Sequence, residues 1–108
     1  MRPFALAALF ALAVFGSAQA ADPAPISITI KDRQFVPAEV TVPAGAKVEL
    51  KISNEQTSAA EFESHQMRRE KVIPAGGTVS IFIGPLNPGR YEFFDDFNPK
   101  NRGVVIVK

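Results

Sequence analysis

The sequence predicts an all-β protein, a sandwich of about seven or eight short strands with Greek-key connections. Three observations carry this expectation. Apolar and polar residues alternate with period two in several segments, as in Ile26-Ser27-Ile28-Thr29-Ile30. Turns built on Pro and Gly separate these segments at close spacing. No segment after the N-terminal leader has an apolar period long enough for a helix of about ten residues.

In chain order, Met1 and Arg2 make a short basic start, and an apolar run from Phe4 to Phe15 follows. Ala18-Gln19-Ala20 then fits the small-x-small pattern of signal-peptidase cleavage, so residues 1–20 read as a signal peptide and 21–108 as one small domain. The apolar run is too short to span a bilayer, and no later stretch is longer. The expectation is an exported, periplasm-type protein with no transmembrane segment in the mature chain.

Strands are expected at 26–30, 39–42, 47–52, 61–64, 71–73, 78–82 and 91–94, and finally at Val104-Val105-Ile106-Val107. All are expected to pair antiparallel. The last is apolar on both faces, which suits a position inside a sheet. Val42-Pro43-Ala44-Gly45-Ala46-Lys47-Val48 and Ile73-Pro74-Ala75-Gly76-Gly77-Thr78-Val79 share one turn form. Asn87-Pro88-Gly89-Arg90-Tyr91 is a shorter version. Pro presets one turn dihedral, Gly supplies a positive φ, and each turn launches a strand. Residues 57–60 and 66–69 have room for one helical turn each.

Composition excludes several classes of function. The chain has no cysteine, one histidine and a net charge of +1. It therefore has no disulfide, no thiolate ligand and no thiol chemistry. The one candidate basic run, Arg68-Arg69 with Lys71, is interrupted by Glu70, so nothing suggests nucleic acid. There is no Gly-rich phosphate loop. A single histidine without a nearby Ser and Asp motif gives no hydrolytic triad.

Two segments carry candidate chemistry. Tyr91 to Gly103 gathers Tyr91, Phe93, Phe94 and Phe97 with Glu92, Asp95 and Asp96. Glu61-Phe62-Glu63-Ser64-His65-Gln66-Met67 adds two more carboxylates, the lone histidine and a thioether. The expected metal ligands are Glu61, Glu63, His65, Met67, Asp95 and Asp96. Carboxylates are hard oxygen donors that suit ferric iron well and ferrous or cupric ions tolerably. The His65-x-Met67 spacing puts both side chains on one face of an extended strand, which suits copper. Each residue also has a structural reading. Glu61 and Glu63 flank Phe62 and can face water while Phe62 fills the core. Asp95 or Asp96 can accept backbone N–H bonds in a turn. Met67 can be a core residue. Arg68, Arg69, Arg90 and Arg102 can neutralise the acids without a metal.

The order of these elements resembles the cupredoxins, the blue-copper β-sandwiches. The residues that carry it are the "F-x-P-x-x-V-x-V-x-x-G" run from Phe35 to Gly45, the strand ending at Asn54, Pro88-Gly89-Arg90-Tyr91-Glu92-Phe93, and Gly103-Val104-Val105-Ile106-Val107. The resemblance implies a cupredoxin-like fold but does not carry over the copper ligands. Ala60 or Glu61 stands where the first histidine is expected, Asp95 at the cysteine, Asn98 at the second histidine and Arg102 near the methionine. Glu61-Phe62-Glu63-Ser64, Arg69-Glu70-Lys71-Val72-Ile73 and Tyr91 to Phe97 are similar to the cupredoxin-like components of bacterial periplasmic iron uptake, of the Efe and Ftr type. That similarity implies iron, copper or both as the bound metal. It also implies an iron-permease or another periplasmic iron-uptake protein as partner, and help with ferrous-iron oxidation or hand-over. A metal-free adaptor and a non-blue copper electron-transfer protein are the competing expectations.

Overall fold

The structure, a computed structural model, describes residues 22–108; the leader expected at 1–20 lies outside them. Among the described residues nine strands form: β1 (Ile26–Lys31), β2 (Gln34–Val36), β3 (Glu39–Val42), β4 (Val48–Asn54), β5 (Ala60–Ser64), β6 (Arg69–Ile73), β7 (Thr78–Ile83), β8 (Gly89–Asp95) and β9 (Asn98–Val107). They make a four-stranded sheet, β2-β1-β4-β7, and a five-stranded sheet, β3-β9-β8-β5-β6. No helix among the described residues is long and apolar enough to cross a membrane.

All eight expected strands are present, and β9 lies inside its sheet as its two apolar faces require. The ninth strand is β2, which sequence patterning missed. It has three residues and buries only Phe35, too little for a periodic signal. The turn leading to it has positive φ at both Asp32 (51°) and Arg33 (60°), the geometry of a two-residue hairpin normally signalled by Asn-Gly or Asp-Gly. The expectation of antiparallel pairing throughout is corrected by two parallel pairs, β1 with β4 and β3 with β9. The chain crosses between sheets before returning beside each earlier strand, so it re-enters in the same direction. Residues 57–58 form a bend and 66–68 lie in a turn, while Ala60 and Arg69 begin β5 and β6, so no helix forms in either place. Gly45 and Gly76 adopt φ of 75° and 71°, as the shared turn form demands.

The core lies between the sheets and centres on Phe35, Phe62 and Phe93. Phe62 and Phe93 stack with centroids 5.0 Å apart, and Phe35 meets Phe93 edge-on at 4.9 Å. Both geometries are favoured by the ring quadrupole. Four polar residues are buried with them, and each pins backbone. Asn54 donates from Nδ2 to the carbonyls of Ser58 and Ile73 and accepts from the Gln56 amide. Ser64 donates to the Glu92 carbonyl and accepts from the Met67 amide. Asn101 accepts from Phe35 N–H. Asp95 is treated below. In a domain without disulfides, these side chains tie loops to strands where the sheet ladders stop.

Gly103 has no room for a side chain. A Cβ there would meet the Phe93 ring and lie 2.7 Å from the Ala38 carbonyl oxygen. Gly103→Ala is expected to destabilise the domain by about 1–3 kcal/mol through overpacking. A urea midpoint measurement checks it, and an unchanged midpoint would contradict the packing described.

Candidate metal site

Strand β5 alternates as its sequence requires. Ala60, Phe62 and Ser64 point into the core, and Glu61 and Glu63 stand half-buried on the outer face of the sheet. β6 is the edge strand beside it, and its register sets Glu70 directly opposite Glu63. On the other side of β5, Phe94 lies opposite Glu63, and the Asp96 amide donates to the Glu61 carbonyl at 2.9 Å. One carboxylate oxygen from each of Glu61, Glu63 and Glu70 lies within 4.8 Å of the others.

Like charges directly opposite each other on a sheet destabilise it. No arginine offsets them here. The ion pair to these acids among the described residues is from His65 Nδ1 to Glu63 Oε1, at 3.5 Å. Arg69 instead donates to the carbonyls of Phe82 and Arg68, and Arg102 lies over the Phe94 ring. Glu63 Oε2 is buried with no hydrogen-bond partner. The acids respond by holding protons more tightly. Desolvation, the hydrogen bond that a protonated Glu61 can share with Asp96, and the charges of Glu70, Asp96 and Glu63 raise the Glu61 pKa above the ordinary 4.5. Desolvation, the hydrogen bond that a protonated Glu63 can share with Glu70, and the charges of Glu70 and Asp96 raise that of Glu63, which His65 partly lowers.

A pH dependence follows in the metal-free protein. These folded-state pKa values lie above the unfolded ones, so the folded state binds more protons just above pH 4.5. The contribution of the site to stability therefore falls as pH rises from there toward neutrality. Metal-free Glu63→Gln is expected to be more stable than wild type at pH 7, with the difference closing as pH falls to 4.5. Parallel urea titrations at the two pH values check this.

Of the residues expected from sequence, Glu61 and Glu63 stand together with Glu70, Asp96 lies beside Glu61, and His65 lies at the rim. Asp95 and Met67 do not join them. Asp95 is 3% exposed and points inward, its Oδ1 taken up by two backbone amides. The expectation that His65 and Met67 share one strand face is corrected. Residues 65–68 form a turn, which leaves the His65 side chain 79% exposed and puts Met67 in the core. Glu70 is the member that sequence reasoning missed as a ligand, having been read as a break in a basic run and as part of the Arg69–Ile73 motif. The signal was the hairpin: a four-residue turn closing Ser64 against Arg69 sets Glu63 opposite Glu70.

The profile of the cupredoxin-like domain matches residues 4–107. This chain belongs to the cupredoxin-like domain family. Its relatives include the uncharacterized protein RP394 of Rickettsia prowazekii, 43% identical over 76% of this chain and 66% of that protein. The iron uptake system component EfeO of Yersinia pestis is 36% identical over 94% of this chain but 28% of its own length. The chain thus spans under two thirds of RP394 by a narrow margin, and little more than a quarter of EfeO. Among solved structures, the metal-binding domain of the Streptococcus pneumoniae D39 Cu(I)-exporting P-type ATPase CopA superposes with a TM-score of 0.71 at 20% identity. That match covers 78% of this chain and 84% of that one, and it bears on the fold alone.

A blue-copper centre does not fit this cupredoxin-like domain. Such a centre needs a thiolate and two imidazoles. The chain has no cysteine, and its one histidine sits on the β5–β6 turn. Asp95, at the expected cysteine position, is committed to backbone amides.

Proposed function

We propose that this domain is a periplasmic accessory of ferrous-iron uptake, and that its outer carboxylate face binds the iron. Glu61, Glu63 and Glu70 are the central ligands, with Asp96 beside Glu61 and His65 at the rim. The observation that carries this reading is three carboxylates converging, with His65 at the rim as their one ion-pair partner among the described residues. A hard cation relieves their repulsion and gives the buried Glu63 oxygen a partner. The likeness to EfeO, named an iron uptake component, supports iron as cargo.

An all-oxygen donor set with several negative charges binds Fe³⁺ more tightly than Fe²⁺, which favours oxidation of the bound ion. With oxygen as acceptor, four Fe²⁺ each give one electron to O₂, and four protons complete two waters. The held ion then passes to a membrane permease or another uptake component.

The test is anaerobic ferrous titration of the purified domain, followed by admission of oxygen. Saturable binding that Glu61→Gln weakens is expected, with ferric absorption appearing faster than in protein-free buffer. Wild type and Glu61→Gln that bind equally little would overturn the site. The lack of blue-copper ligands favours a second reading, a metal-free adaptor that docks to an uptake partner. Elemental analysis of protein purified without chelator separates the two, because stoichiometric iron or copper excludes the adaptor.

A further inference from the structure

We infer that Asp95 is a positioning residue for the carboxylate face: a buried clamp that holds the start of β5 against the end of β8, so that Glu61 and Asp96 stand side by side. The inference rests on the functional reading above for its consequence, but its geometry is independent of it.

The clamp occupies a gap in the sheet. Phe94 lies opposite Arg102, while the next residue, Asp95, lies opposite Asn98. Three residues of β9 therefore bulge between two neighbouring rungs. Asn101, at the displaced rung, turns its side-chain oxygen to the Phe35 amide instead. On its other side, toward β5, Asp95 supplies a side-chain acceptor. Its Oδ1 receives Glu61 N–H and Phe97 N–H, both at 2.9 Å. The first bond ties β5 to β8 just past their last rung, Phe62 with Asp95, and the second closes the tight turn at Asp96-Phe97. The Asp96 amide returns a bond to the Glu61 carbonyl. Glu61 and Asp96 are thereby tied through both neighbouring backbones.

Asp95 is 3% exposed, and the described residues place no cation within ion-pairing distance of it. A buried carboxylate is stabilised by accepted backbone N–H bonds, which are stronger for an ionised acceptor. Those bonds fix Oδ1 against the backbone, and Asp95 stands outside the converging group of Glu61, Glu63 and Glu70.

The choice of variant separates a clamp from a ligand. Asparagine keeps an oxygen able to accept both amide bonds but loses the negative charge a hard cation requires. Alanine loses both. Two quantities are read for each variant: hydrogen exchange of the Glu61 and Phe97 amides in metal-free protein, and ferrous affinity by anaerobic titration. Asp95→Ala is expected to raise exchange at both amides about tenfold and to weaken iron binding about tenfold, one lost charge-assisted bond's worth. Asp95→Asn is expected to keep both near wild type. Asp95→Asn that loses iron as fully as Asp95→Ala, with exchange unchanged, overturns the clamp in favour of a ligand. Unchanged exchange in Asp95→Ala overturns it outright. If Asp95→Ala does not fold, the asparagine variant decides alone: wild-type affinity supports the clamp, and lost affinity with intact exchange refutes it. Wild-type protein that binds no iron overturns the functional reading only, and amide exchange still decides the geometry.

Discussion

Glu63→Gln is expected to weaken ferrous binding at least about 100-fold, or about 2.7 kcal/mol. Glu63 is the centre of the carboxylate group. Glu61 shares its face on β5, Glu70 stands opposite on β6, and His65 reaches its Oε1. Its side chain is only 14% exposed, and one of its oxygens is buried without a partner. Glutamine preserves the volume but removes a charge and turns amide hydrogens toward a bound cation. Glu92→Gln is the control. Glu92 belongs to the other acidic segment and is exposed on β8, outside the converging group, so its loss should change affinity less than threefold. The two variants are compared by anaerobic titration. Equal affinities would remove Glu63 from the site.

Phe93→Ala is expected to destabilise the domain by about 3–5 kcal/mol. Phe93 is fully buried, stacks on Phe62, takes the edge of Phe35 and is closed over by Gly103. Collapse around the cavity is limited, because rigid strands from both sheets form its walls. A small domain has only about 5–15 kcal/mol of stability in total, so this one ring decides much of it. Phe97→Ala is expected to cost less than about 0.5 kcal/mol, because Phe97 is 57% exposed at the hairpin tip. Urea denaturation of both variants checks the contrast. Two phenylalanines four positions apart in one aromatic stretch should differ this widely because strand alternation sends one inward and the turn carries the other out.

The fold was legible because its signals are local. Period-two alternation marks β1, β4 and β7 residue by residue, and Pro-Ala-Gly turns announce the strands after them. β2 was not legible, since three residues with one buried side chain carry no period. Parallel pairing was not legible either, because it depends on which sheet the chain enters next. At the site, Glu61 and Glu63 could be read from their flanking of Phe62. Glu70 could not be read without the hairpin register. Met67 and His65 kept two readings, because their spacing means one face in a strand and opposite environments in a turn, and the turn at residues 65–68 decided between them.

The sequence by itself determined the sandwich, the absence of a blue-copper centre and the presence of surplus acids on two segments. These follow from composition and short-range pattern: no thiolate can come from a chain without cysteine. Only the tertiary structure decided which acids belong together. Register across β5 and β6 recruited Glu70, and Asp95, on the buried face of β8, gave its Oδ1 to two backbone amides. The physical reason is that a carboxylate has no role of its own. Partners from distant strands, a like charge in one place and two amides in another, set the environment of each acid.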